Sequence, residues 1–438
     1  MRAFRAAQVV RKRMRTKRRI VEESAFLSEP SRELGRLQDA GVVAAYIPDQ
    51  KAWRKLSPGS KAKPGHPGLW LTLAPGLGYL IGVDIAHSHV SASITKADFS
   101  GVLDVALREP MSGLDEDPEM AFDVAARLIA RAFAQARDRH GATPEEVIGI
   151  GIGLPAPVNR ETKTISPEMH ILSAWSRYSP ADELSSRLHE ILPDAPIEVD
   201  NDASLGALGV HCWETLTSDP ATVPRDLLYV RVGDGIGAGV VIKGKLVGGG
   251  SGFAGEIGHV KIDERGHFCP RCGQRGCVET KTSDRAVLAE LGPTVFADIP
   301  GALAIEDVIA RRHPACFRAL HEAGWHLGTA LAHARTLLDP TRIYIGGAMA
   351  GSERFMHGIQ EGIVSNSLTL AEQVGELVSP SPTSLSDLRL DLASPELLGA
   401  IAIALHRCGD SYIEQTLRNF QLQKTGRPSI GDGVVSAD

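Results

Sequence analysis

The sequence predicts an α/β fold of two lobes whose ligands gather where strands end. Three observations predict it. The chain has 438 residues, more than one hydrophobic core usually fills. Its short apolar runs finish in Gly or Asp and feed helical patterns, the arrangement that places ligands beyond the carboxyl ends of strands. Several such runs recur along the chain, enough for two lobes facing each other across a cleft.

The elements follow in order. Residues 79–85 (YLIGVDI) read as the first strong strand and 90–94 (VSASI) as its hairpin partner. A helix is expected over 118–140, with Met120, Val124, Leu128 and Ala132 on an apolar stripe. Strand 147–153 leads into PAPV, strand 196–200 ends in NDAS, 227–232 opens a third glycine-rich turn, and 341–345 (TRIYI) ends in Gly346-Gly347. Upstream, 31–43 (SRELGRLQDAGVV) predicts a short helix capped by Ser31 and ended by Gly41, with Leu34, Leu37 and Val42 on one side. Residues 49–68, rich in Lys, Pro, Gly and Ser, read as a linker. The expected division is a basic N-terminal region over 1–76, a first lobe over 77–204, a second lobe over 205–424 whose last helix returns to the first, and a mobile tail over 425–438. No short-period repeat is present.

Apolar and charged fractions of 43% and 23% are those of an ordinary globular chain. With no long apolar run and no cleavable leader pattern, the expectation is a cytoplasmic protein without membrane attachment. The net charge of -6 conceals an asymmetry: residues 1–20 carry Arg2, Arg5, Arg11, Lys12, Arg13, Arg15, Lys17, Arg18 and Arg19 and no acid. A basic arm on an acidic body suits either a polyanionic partner or a solvated tail.

Of six cysteines, three crowd into 269–277 as C-x2-C-x4-C, whereas Cys212, Cys316 and Cys408 stand alone. This pattern suits metal in a reducing compartment better than disulfides. Cys269, Cys272 and Cys277 with His259 upstream offer three thiolates and an imidazole, a tetrahedral Zn2+ shell, and Gly273 and Gly276 allow the turns that aim sulfur inward. His267 competes as the nitrogen ligand, and three buried free thiols are the alternative reading.

The run Gly255-Glu256-Ile257-Gly258-His259, the CGQRGC of 272–277 followed by Val278-Glu279, and Val199-Asp200-Asn201-Asp202-Ala203 together resemble the ROK family of sugar kinases and sugar-responsive repressors. The resemblance covers about residues 78–417 and implies a two-lobed, actin-like, hexokinase-type fold with a sugar between the lobes. It implies Asn201, Asp202, Glu256, His259 and Glu279 as sugar contacts, with backbone contacts from 153–157. Carboxylates and an amide suit a ring of hydroxyls that each donate and accept. Zinc on one nitrogen of His259 would leave the other for a hydroxyl, so the metal is structural.

The same resemblance separates kinase from sensor. Family kinases carry D-x-G-G-T after the first strand for the phosphates of ATP; here the place reads Asp84-Ile85-Ala86-His87-Ser88-His89. At the second loop, V-G-D-G-I-G puts Asp234 where a small hydroxylic residue is usual, and an acid there repels phosphate. Gly346-Gly347-Ala348 is closer to the adenosine pattern. In a kinase Asp202 would be the general base and ATP with Mg2+ the cosubstrate; in a sensor it accepts a hydrogen bond.

Family regulators carry a winged helix-turn-helix ahead of the first lobe. Residues 31–43 resemble its end, but 18–30 are too short for two preceding helices and 65–67 read Gly-His-Pro where Gly-Arg-Pro is frequent. After PAPV this chain has 169–175 (MHILSAW), with His170 facing the ligand or capping a loop. The expectation is a sugar-responsive, DNA-binding regulator that takes a hexose-type ligand and forms homo-oligomers. The alternatives are a sugar kinase with unorthodox loops and a sugar-binding partner lacking DNA binding.

Overall fold

The computed structural model describes residues 76–425 apart from 100–104, 115, 167–172, 218–221, 299–303, 311–312, 368–375 and 379–393; before them it describes 15–16, 36–40, 42–46 and 70–74. The expected linker 49–68, all of the basic arm except 15–16, His170 and the tail after 425 lie outside the described residues.

Two five-stranded sheets carry the fold. In the first, β4 (Tyr79–Ala86), β5 (His89–Lys96) and β6 (Val105–Pro110) form an antiparallel meander, and β7 (Val147–Leu154) and β10 (Ile197–Asn201) continue parallel on the far side of β4. In the second, β11 (Leu227–Val232), β12 (Ile236–Ile242) and β13 (Lys245–Val247) form the meander, and β14 (Arg342–Gly346) and β15 (Glu376–Val378) add in parallel beside β11. Both sheets therefore run third-second-first-fourth-fifth in their own strand order, the duplicated architecture that the resemblance implies. A small hairpin, β8 (Val158–Asn159) and β9 (Thr164–Ile165), extends from the first lobe.

The seven predicted elements of the two lobes form within a residue or two of their expected ends. α1 (Pro118–His140) starts where Asp117 accepts from the Met120 amide and stops at Gly141, a left-handed position with φ 71°. β4 and β7 are buried along their whole length, so their runs are continuously apolar rather than alternating.

Two helices lock the lobes together. α3 (Asp202–Thr217) follows the fifth strand of the first sheet yet packs on β11 and β12, and α7 (Pro395–Thr425) follows the fifth strand of the second sheet yet packs on β4 and β7. They cross at Gly209 and Gly399, where an added Cβ would lie 1.9 Å from the Pro395 carbonyl and 1.8 Å from the Leu205 carbonyl. Only glycine permits that approach. The remaining long helices are α2 (Pro180–Leu188), α4 (Asp284–Asp298, kinked at Gly292), α5 (Pro314–Leu338) and α6 (Glu353–Asn366). Each lobe has its own core, built around Phe122 and Trp175 in the first and Leu327 and Phe355 in the second.

Of the helix expected from Ser31 and ended by Gly41, residues 31–35 and 41 lie outside the described residues. Residues 36–39 are helical, but Val43 opens a strand, β2 (Val43–Tyr46), paired antiparallel with β3 (Trp70–Leu73); β1 (Arg15–Thr16) pairs with the other edge of β3. The β-branched pair Val42-Val43 beyond Gly41 favours extension over helix. Leu37, Val42, Val43 and Leu73 bury against Ile401, Ala404 and Ile413 of α7 and Leu80 and Ile148 of the first sheet. Among the described residues no helix is long and apolar enough to cross a membrane.

Candidate functional site

The strand ends of both lobes converge on one cleft. The first lobe contributes His87 after β4, Pro155-Ala156-Pro157 after β7, and Asn201 and Asp202 where β10 becomes α3. The second contributes Arg231, the Gly235-Ile236-Gly237 turn, Glu256, His259, Arg271 and Glu279. All five residues expected to contact a sugar line this cleft.

Asn201 and Asp202 serve the backbone as well as the cleft. Asn201 Oδ1 accepts from the Ser204 amide at 3.0 Å and its Nδ2 donates to the Ala156 carbonyl at 3.2 Å, tying the helix start to the Pro-Ala-Pro loop. Asp202 Oδ1 accepts from the Ala203 amide at 2.7 Å, while Oδ2 lies 2.9 Å from Arg231 Nη1. Burial raises the Asp202 carboxyl, and Arg231 opposes the rise.

Glu256 and His259 sit on a turn held by Gly255, whose φ is 98° and where a Cβ would lie 1.8 Å from the Ala238 carbonyl. The Glu256 carboxyl is pushed up to about 7, first by burial and then by the neighbouring Asp202 and Glu279. Glu279 is buried; Oε2 accepts from the Ile236 amide at 3.0 Å and Oε1 lies 3.2 Å from Arg271 Nε. Arg271 spans the cleft, its Nη2 standing 3.4 Å from His87 Nε2.

The ligand atoms of His259, Cys269, Cys272 and Cys277 all lie within 4.8 Å of one another. His259 Nδ1 is 3.7 Å from Cys269 Sγ, and the sulfurs of Cys272 and Cys277 are 3.4 Å apart. Zn–S bonds of ~2.3 Å give a tetrahedral edge of about 3.8 Å, so the donors fit Zn2+ with small adjustments. His267 is exposed and outside the group. Gly276, at φ 75°, makes the turn possible: a Cβ there would lie 1.5 Å from the Asp263 carbonyl. Burial pushes the thiols of Cys269 and Cys277 up, a cost that a cation reverses by taking thiolates as ligands. With Nδ1 directed at the sulfurs, His259 presents Nε2 to the cleft, 3.9 Å from Glu256 Oε2.

Sequence reasoning missed the cluster behind Asp202. Arg231, on β11, also reaches Glu396 in the first turn of α7 (3.3 Å), and Tyr229 Oη donates to Glu396 at 2.6 Å. Asp84 stands nearby, pushed up to about 7, chiefly by burial, and its Oδ1 is a buried oxygen without a hydrogen-bond partner among the described residues. One signal was available: an arginine in the otherwise apolar run LLYVRV. Glu396 carried none, because an acid at a helix start reads as a dipole partner.

The stretches that the family resemblance assigns to phosphates carry polar contacts of the chain's own. Ser88 Oγ and Arg108 Nη2 approach His89 Nδ1 at 3.0 and 2.9 Å, and His89 Nε2 faces Asp84 at 3.8 Å. At the second loop the Asp284 carboxyl is pushed up to about 7, by burial and then by Asp234 and Glu306.

The ROK family profile matches residues 80–387. The chain is 27% identical to a xylose repressor of Caldicellulosiruptor bescii over 322 residues, 69% of this chain and 74% of that protein. It is 30% identical to a glucokinase of Halalkalibacterium halodurans over 240 residues, 51% and 69% of the two chains. In fold it is similar to a ROK family transcriptional regulator described as a homologue of the E. coli MLC protein (TM-score 0.69, 19% identity, 95% of this chain and 98% of that one). It is similar also to a ROK family glucokinase of Streptomyces griseus (TM-score 0.58, 22% identity, 75% and 100%). With the duplicated sheets, the sugar-family motifs in one cleft and a match over more than half its length, the chain belongs to the ROK family, with its actin-like, hexokinase-type fold.

Proposed function

We propose that this chain is a sugar-responsive transcriptional regulator that binds a monosaccharide in the cleft without phosphorylating it. The reading rests on a contrast between two sets of residues: those expected to face a sugar line the cleft, whereas the stretches expected to face phosphates carry His89 beside Asp84 and, at the second loop, Asp284 under the influence of Asp234 and Glu306. Negative charge at that loop would repel a polyphosphate. Asn201, Asp202, Glu256 and Glu279 answer sugar hydroxyls, and His259 offers Nε2 to one more. The relatives named xylose repressors widen the ligand class from the hexose expected to pentoses.

Structural Zn2+ on His259, Cys269, Cys272 and Cys277 would fix the imidazole beside Glu256. Its chemistry is to hold thiolates and imidazole in one geometry. The residues do the rest: Asp202 and Glu256 accept hydroxyl protons in hydrogen bonds, and Arg231 keeps the Asp202 charge compensated.

Sugar at Asp202 competes with Arg231 for the same carboxylate. Arg231 then rebalances toward Glu396, at the start of α7, and the same helix packs through Ile401, Ala404 and Ile413 on Leu37, Val42 and Val43. The route from cleft to N-terminal region is thus one shared cation and one helix. DNA binding is assigned to that region, whose first twenty residues are basic and whose β1 brings Arg15 into register with Leu71 on the small sheet. Homo-oligomers would present two such regions to paired half-sites. Gel retardation of the chain's own upstream DNA at low salt, with and without sugars, tests the reading; no retardation under any condition removes DNA from it.

The kinase reading has one observation in its favour. Asp202 is a buried carboxylate whose affinity for protons is raised, beside an arginine able to meet a transferred phosphoryl group. Sugar-dependent ADP release that vanishes in Asp202→Ala would establish it.

A further inference from the structure

We propose a divalent transition-metal site on the outer face of the second lobe, formed by His321 of α5 and His357 and Glu361 of α6. It is remote in sequence from the cysteine group and independent of the sugar reading.

The two helices meet backbone to backbone. A Cβ on Gly324 would lie 2.1 Å from the Phe355 carbonyl and one on Gly358 2.2 Å from the His321 carbonyl. Contact this close fixes the relative height of side chains along the seam. His357 and Glu361, four residues apart, share one face of α6, and His321 faces them from α5. Their donor atoms all lie within 4.8 Å of one another. His321 Nε2 is 3.0 Å from Glu361 Oε2, and His357 Nδ1 is 3.6 Å from Glu361 Oε1. A metal with Zn–N and Zn–O bonds of 2.0–2.2 Å has tetrahedral edges of about 3.4 Å, so the ion enters with side-chain rotation alone.

The donor set defines the ligand class. Two imidazoles and one carboxylate favour Zn2+, Cu2+, Ni2+ or Co2+ over Mg2+ and Ca2+, which prefer all-oxygen shells. His321 is a third exposed and His357 and Glu361 about half, so water completes the shell. A plain His–Glu contact would contribute little at such a surface, which is what the experiment must separate.

Isothermal titration of Zn2+ into the full-length protein, carrying whatever metal it retains on purification, is the test. The expected result is one further equivalent, weakened by at least about tenfold in His357→Ala and in Glu361→Ala, since losing a ligand costs no less than losing a group that orients one. Circular dichroism should be unchanged in these surface variants. Cu2+ should quench Trp325, one helical turn from His321, in the wild type and not in His321→Ala/His357→Ala. No further equivalent, or one that survives the double variant, overturns the assignment.

Discussion

Arg231 Nη1 lies 2.9 Å from Asp202 Oδ2, joining β11 to the start of α3 by a charge pair whose carboxylate is buried and whose guanidinium is half-buried at the cleft. The same guanidinium serves Glu396, so one cation compensates acids from two elements. Replacing it with Met should destabilise the protein by about 3–5 kcal/mol, the usual cost of leaving a buried charge without its partner. Arg231→Met/Glu396→Leu should recover part of that loss, and urea midpoints measure both. Equal stability of Arg231→Met and wild type would show that the cluster is solvated.

Glu396→Gln keeps the shape and the Tyr229 hydrogen bond but removes the charge that Arg231 turns to when a sugar claims Asp202. Sugar affinity should change by less than about threefold, while sugar should no longer alter DNA retardation; coupling of this kind is typically worth about 1–3 kcal/mol. Retained response in the variant would move the coupling elsewhere, whereas absence of any response in the wild type would count against the regulator reading itself.

How far the sequence made this legible depends on what kind of information each residue carries. Strands such as 342–346 declare themselves by apolar runs ending in Gly, and the cysteine spacing declares a donor set, because both are local. Asn201, Asp202, Glu256 and Glu279 became readable only as members of motifs, since a lone carboxylate after a strand reads as a turn. Arg231 with Glu396, 165 positions apart, and Arg271 with His87, 184 apart, depend on how the lobes face each other, and no local pattern encodes that. Beyond Gly41, where the helix expected from Ser31 was to end, the Val42-Val43 pair favours the strand that forms there.

Cys272→Ser should lose zinc, measured as metal per chain by mass spectrometry, and should lower sugar affinity, because His259 is no longer held. Metal uptake must release thiol protons that burial otherwise retains, so apparent zinc affinity should rise steeply from pH 6 to pH 8 in chelator competition. A pH-independent affinity would mean that the sulfurs are not the ligands.

Glu256 supplies a pH test with a defined sign. Its carboxyl is raised from 4.5 to about 7 in the folded chain, so between those values the native state binds more protons than the unfolded state. Its contribution is fully present below about pH 4.5 and lost as pH rises through about 7. Glu256→Gln, which cannot ionise, should therefore gain stability relative to wild type from pH 5 to pH 8, by about 1–3 kcal/mol. A stability difference that stays flat with pH would place Glu256 in contact with water.

A cleft that takes a sugar and leaves ATP aside responds to the one ligand and not to the other. Thermal shift across pentoses, hexoses and N-acetylhexosamines, each with and without ATP and Mg2+, measures both halves at once. One sugar class should raise Tm, Asp202→Ala should abolish the rise, and ATP should add nothing. A rise with ATP and Mg2+ accompanied by ADP release, or no rise with any sugar, would contradict this reading of the cleft.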